Sequence, residues 1–518
     1  MAEETHKGAE SDFGARKDGT ASVSNWLEEK SILELQQMME SGERTSQDLV
    51  YGYMERIAEY DHEGPALKSV IELNPDAPHI AAALDEERHR RGPRGPLHGI
   101  PVLIKDNIDT ADKMHTSAGT LALHNSYAAR DAYLVHRLRR AGAVILGKTN
   151  PTELANFMTF DMPNGYSSRG GQTLNPYGPG TFDVGGSSAG SGAAPAANLC
   201  AVAVGTETSG SILHPSSHNG IVGIKPTVGL ISRSGIIPIS YSQDTAGPMA
   251  RTVFDAAILL WAMAGHDAHD PATLSSPIRH RRHGDFSTAE VGAIAMGANA
   301  PGRGLDLRGV RLGVPLEGYL DRTGDEERRI TEAGLQVLRD LGATVVEGVK
   351  LPTFEHEWVS RVMIYEFKAA LNSYLKGVGP EVAVHSLADL IAYNEAHADV
   401  ALRYGQKILE ESEGTSGSLT EAVYIRERLE DLRVSQREGI DAALAADNLD
   451  AIVFPAYYGA EISAKAGYPS VTVPAGFTSK GLPFGITFTA TAFTEPKLIR
   501  YATAFEAATH HRRAPKLG

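Results

Sequence analysis

The chain has 518 residues, 42% of them hydrophobic and 22% charged, which suits one large or two ordinary folded domains with a sizeable core. A net charge of −15 disfavours nonspecific nucleic-acid binding. The single cysteine, Cys200, excludes an internal disulfide and speaks against a cysteine-based zinc site, and its neighbours Ala197 to Val202 read as packed core.

Residues 1–23 are charged, small and polar and read as a flexible tail without the apolar region of a signal peptide. No run of about 18 apolar residues follows, so no membrane span is expected and the expected location is the cytoplasm. Between 24 and 60, apolar residues recur at helical spacing, with Thr45-Ser46 before Gln47-Asp48 as a helix start. A further helix fits Asp76 to His89.

From Ile100 onward, short apolar strands alternate with helical stretches. Strands are expected at 100–104, 143–147, 221–224, 229–237 and 310–314, and helices at 132–141, 193–204, 253–265 and 325–341. Residues 270–305 interrupt this pattern and carry a basic run, Arg279 to Gly284, which reads as a solvated loop. A mostly helical region, roughly 321–450, reads as a cap. Core segments return at 451–455, 470–474 and 484–489, before a terminal helix near 496–507. The expected fold is α/β, a mixed β-sheet core sandwiched by helices, with residues 24–518 forming one domain.

Three local features carry chemistry. Ile100-Pro101-Val102-Leu103-Ile104-Lys105 delivers a lysine at the end of an apolar strand. An exposed lysine has a pKa near ~10.4 and cannot act as a base at neutral pH, but burial lowers it, and lowering it by three costs about 4 kcal/mol. Taken alone, Lys105 reads better as an amine in solvent or paired with Asp106 or Asp109. The second feature is Gly185-Gly186-Ser187-Ser188-Ala189-Gly190-Ser191-Gly192, whose glycines open backbone conformations closed to other residues. The third is Gly205-Thr206-Glu207-Thr208-Ser209-Gly210-Ser211, a turn able to aim several N–H groups at one developing negative charge. Two hydroxyls and one amine suffice for a serine nucleophile activated without histidine.

Other readings of these residues are weaker. His214 and His218 follow Ser211, but no Gly-x-Ser-x-Gly motif accompanies a Ser-His pair. His214-x-x-x-His218 lacks the glutamate of a zinc-protease helix, so its spacing alone does not support a metal site. No phosphate-loop pattern is present.

Taken in order, Lys105, the Gly-Gly-Ser-Ser-x-Gly-Ser-Gly run and the Gly-Ser-Ile turn resemble the amidase signature family. The similarity continues through Ile221–Thr227, Gln243–Arg251 and Ala466–Gly476, covering roughly residues 25–510. The resemblance implies that Ser211 is the nucleophile, that Ser187 is a bridging serine following a cis peptide bond, and that Lys105 is the general base. It places the oxyanion hole at the backbone of Thr208, Ser209, Gly210 and Ser211, with Ser188 bonding near the lysine. Asn156, Phe157 and Asp244 lie close to family motifs and are candidate substrate contacts. Ser209 stands where many members have glycine. That departure, with Gly229–Pro238, is similar to the peptide-amidase branch.

The implied reaction is hydrolysis of carboxylic amides, with C-terminal peptide amides the expected substrate and ammonia the product, and with no metal or other cofactor. The alternatives are an aryl, aliphatic or fatty-acid amidase of the same family, the glutaminase component of a tRNA-dependent amidotransferase, and a non-catalytic binding scaffold. The expected partner is a small-molecule or peptide amide, not nucleic acid and not a membrane.

Overall fold

Valine- and isoleucine-rich runs that are apolar on every position need burial on both faces, and they form the interior of one eleven-stranded sheet. A computed structural model describes residues 24–277 and 305–517; the expected tail at 1–23 and the basic run Arg279–Gly284 lie outside these. In chain order the strands are β1 (Val70–Leu73), β2 (Pro101–Lys105), β3 (Val144–Thr149), β4 (Tyr166–Ser167), β5 (Gly171–Gln172), β6 (Val202–Glu207) and β7 (Val222–Lys225). They continue with β8 (Thr245–Ala250), β9 (Arg311–Val314), β10 (Thr344–Glu347), β11 (Ala451–Pro455), β12 (Ser470–Phe477) and β13 (Pro483–Thr489).

The sheet order is β1-β3-β2-β6-β8-β7-β12-β13-β11-β9-β10, and β4 and β5 form a separate hairpin. Strands β3, β2 and β6 are parallel neighbours, as are β11, β9 and β10, while the centre from β6 to β11 is antiparallel. Strands β2, β3, β6, β7, β8 and β11 are buried along their whole length, whereas the edge strand β10 is largely exposed.

Flanking helices start where the sequence provides caps. Ser31 with Glu34, and Thr45 with Asp48, form reciprocal capping boxes at the helices Ile32–Glu40 and Ser46–Arg56. The helix Asp325–Asp340 lies against β12 and β13, so it belongs to the layer over the sheet. The helical insertion begins later, at Arg361–Leu375, and runs to Asp441–Ala446. Its first helix packs Phe367 and Leu371 into an apolar cluster with Phe157, Met158, Ile237 and Ile239. No helix among the described residues is long and apolar enough to cross a membrane.

Two expected elements differ from the structure. The helix expected at 193–204 instead spans Ala189–Ala196, because Asn198 adopts a left-handed conformation and Val202–Val204 pairs into β6. The strand expected at 229–237 is a bent segment with turns at 229–230 and 234–235, and among the described residues it makes only isolated bridges, Ile231 to Val228 and Ile236 to Ile108. Strands β1, β8 and β10 add to the expected set: β1 runs up to Asn74-Pro75 and β10 lies between Gly342 and Gly348, whereas β8 carries Gly247 and Pro248 in its middle.

Candidate active site

Parallel pairing of β2 with β6 brings their carboxyl ends together, the usual place for a site in such sheets. Ile104 pairs with Val204, which sets Lys105 beside Gly205 and Thr206. The Lys105 side chain is fully buried. Its Nζ lies 2.8 Å from Ser187 Oγ, 2.9 Å from Thr206 Oγ1 and 3.1 Å from Ser188 Oγ. Burial pushes its pKa down to about 7, against smaller opposing effects of the Asp244 and Glu207 charges. The amine therefore sheds its proton within the neutral range while held among three hydroxyls.

The Gly185–Gly192 cluster leads directly into the helix Ala189–Ala196. The Gly186–Ser187 peptide is cis. Ser187 C=O accepts from Thr152 N–H at 2.9 Å. Ser188 Oγ donates to the Thr206 carbonyl at 2.9 Å and accepts from Thr206 N–H at 3.1 Å. This helix is built of small residues because it is wholly buried: a Cβ on Gly190 would sit 2.2 Å from the Ser69 carbonyl and 2.7 Å from Asn150 N. Ser188 N–H donates to the Ser211 carbonyl at 3.2 Å, which joins the two serine segments directly.

The turn after β6 is wound around Glu207. Its buried carboxylate accepts from the backbone N–H groups of Gly210 at 2.9 Å, Ile212 at 2.7 Å and Leu213 at 3.0 Å. Gly210 takes φ +81°, a left-handed conformation that other residues adopt only with strain. One of the four expected oxyanion amides, that of Gly210, is thus already engaged, and among the described residues no acceptor takes the Thr208, Ser209 or Ser211 amide. Ser211 is 8% exposed. Glu207→Ala strands three buried donors at ~1–3 kcal/mol each. The variant is expected to lose at least about 3 kcal/mol, read as a lower unfolding midpoint; an unchanged midpoint would show that the turn does not need its acid.

Asp244 is brought to the same turn. It accepts from Thr208 Oγ1 at 2.6 Å and from the backbone N–H groups of Ile239 and Ser240 at 2.8 and 2.9 Å. Burial raises its pKa to about 6. Phe157 is buried and packs on Phe367, ring centres 5.1 Å apart, in an apolar cluster with Ile237 and Ile239. Asn156 is exposed in the neighbouring turn. Sequence reasoning missed Thr206, the third partner of the lysine, and Asn107, whose amide donates to Thr206 Oγ1 at 3.1 Å. Only the register of β2 on β6 reveals them.

His214 is a poor partner for Ser211. Burial first, and then His218, hold it well below the ordinary histidine value, at about 3. No hydrogen bond joins it to Ser211 among the described residues.

Residues 48–465 match the family model described as Amidase. A probable amidase of Arabidopsis thaliana is 40% identical over 502 residues, covering 95% of this chain and 92% of the relative. The crystal structure of native peptide amidase from Stenotrophomonas maltophilia is similar at 47% identity and a TM-score of 0.85, covering 95% of this chain and 99% of that one. A glutamyl-tRNA(Gln) amidotransferase component of Thermosynechococcus vestitus is 32% identical, covering 94% of this chain and 99% of the relative. With the mixed sheet and flanking helices these matches define a hydrolase of carbon–nitrogen amide bonds. The chain belongs to the amidase family and is an amidase.

Proposed function

We propose that amide hydrolysis here runs through Ser211, Ser187 and Lys105. The carrying observation is a fully buried amine, with its pKa near neutrality, 2.8 Å from the Ser187 hydroxyl. Neutral Lys105 accepts the Ser187 proton as Ser187 accepts the proton of Ser211, whose hydroxyl, without a hydrogen bond among the described residues, turns to Ser187 when substrate binds. Ser211 Oγ attacks the amide carbonyl carbon, and the carbonyl π electrons move onto oxygen. The Thr208, Ser209 and Ser211 amides hold that oxyanion, while Glu207 keeps the Gly210 amide and the turn in place. Ser187 returns a proton to the leaving nitrogen and regains one from Lys105, the C–N bond breaks, and an acyl-enzyme remains. Water repeats the relay in the second half and frees the acid.

The expected pH dependence has a definite sign. The working form of Lys105 is neutral, so kcat/KM rises with pH through about 7 and falls tenfold per pH unit below it. Asp244 and Glu207 are the charges that favour the ammonium form. Asp244→Asn removes one of them, so the limb moves to lower pH in that variant. A limb that stays in place or moves upward would contradict the role of Lys105.

C-terminal peptide amides are the proposed substrates, a reading supported by the 47% identity to the S. maltophilia peptide amidase and by the polar Ser209 in the turn. The helices from Arg361–Leu375 to Asp441–Ala446 act as the cap over the site. The test is ammonia release from peptide amides, anilides, fatty amides and glutamine. Fast release from peptide amides by the isolated chain supports the reading. Turnover of glutamine alone, and only with partner proteins, would replace it with the amidotransferase role.

A further inference from the structure

We infer that Asp183, His214 and His218 form a binding site for one divalent transition-metal ion of the zinc type, separate from the proposed catalytic serines. One ligand atom from each residue lies within 4.8 Å of the others. The helix Leu213–His218 carries the two imidazoles one turn apart, on the same face. Chain folding adds what the sequence spacing lacked: a carboxylate from the segment leading to Ser187.

The groups that would orient these ligands are in place. His218 Nδ1 lies 3.1 Å from the Asp183 carbonyl. A carbonyl only accepts, so Nδ1 carries the proton and Nε2 keeps its lone pair for a metal. The Asp183 carboxylate is oriented by Gly185 N–H at 2.9 Å on one oxygen and by the Asn164 amide at 2.9 Å on the other. His214 is fixed by stacking on Tyr457, ring centres 4.0 Å apart, and by its backbone N–H, which donates to the Gly210 carbonyl at 2.8 Å. Its Nε2 is a buried polar atom with no hydrogen-bond partner among the described residues, 3.8 Å from Asp183 Oδ2.

That separation fits an ion. Two ligands at 2.0–2.1 Å from a tetrahedral zinc lie about 3.4 Å apart, so a small side-chain rotation closes the pair. A donor set of two imidazoles and one carboxylate suits zinc, nickel or copper rather than calcium or magnesium. Asp183 is exposed, which provides an entry path and room for water to complete the coordination. The Glu327 carboxylate adds negative potential facing His218. A bound ion would tie the segment before Ser187 to the helix after Ser211.

The test is titration of chelator-treated full-length protein with Zn(II) by calorimetry, with Co(II) absorption as an independent readout. The expected result is one ion per chain, a raised melting midpoint on loading, and ~10-fold or weaker binding in both Asp183→Asn and His218→Gln. Asp183→Asn keeps an acceptor for Gly185 N–H at an exposed position, so it tests the site without disturbing the fold. Failure to take up an ion at one per chain, or uptake by both variants with the wild-type affinity, overturns the inference and assigns any binding to other histidines. Neither outcome bears on the serine relay.

Discussion

Ser211→Ala is expected to lower kcat/KM for a primary amide by about 10⁶-fold, the size of loss found when a serine hydrolase loses its nucleophile. The reason is geometric. Ser211 sits where the Glu207-wound turn meets the Ser187–Ser188 segment, its carbonyl bonded to Ser188 N–H at 3.2 Å. Its hydroxyl makes no hydrogen bond among the described residues, so removing one oxygen costs the fold little. The unfolding midpoint is therefore expected near that of the wild type, and the loss belongs to chemistry. Wild-type turnover by Ser211→Ala would end the assignment.

Lys105→Ala is expected to cost at least 10²- to 10⁴-fold, the range for a lost general base, and more if Ser187 cannot pass its proton elsewhere. Lys105→Arg separates two roles. A guanidinium keeps its proton at any working pH. If the lysine acted only as a positively charged donor to the serines, arginine would restore part of the rate. If it must become neutral, arginine is as inactive as alanine, and the limb near pH 7 disappears from whatever activity remains. Steady-state rates across pH for the two variants decide between these.

Much of this is readable in the chain. The lysine at the end of 100–105 and the two serine clusters are local features, and β2, β11 and most helices lie within a few residues of their expected places. What is not readable depends on register and on contacts between distant segments. Thr206 lies within one of the glycine-rich clusters, yet its role beside the amine follows only from Ile104 pairing with Val204. Glu207 lies in the same cluster, and only the wound turn shows it holding three amides. The packing of Phe157 on Phe367 is likewise a contact between distant segments that the sequence does not show. The stretch 193–204 misleads because small apolar residues fit helix and buried strand alike, and only the left-handed Asn198 separates them.

One measurement reaches the centre of the account: reaction of the full chain with a fluorophosphonate, followed by peptide mapping of the adduct. The expected outcome is a single phosphonyl group on Ser211, absent from Ser211→Ala and formed far more slowly in Lys105→Ala. A label carried by Ser187 or Ser209 instead, or continued hydrolysis after complete labelling of Ser211, would mean that the amide bond is broken by some other group.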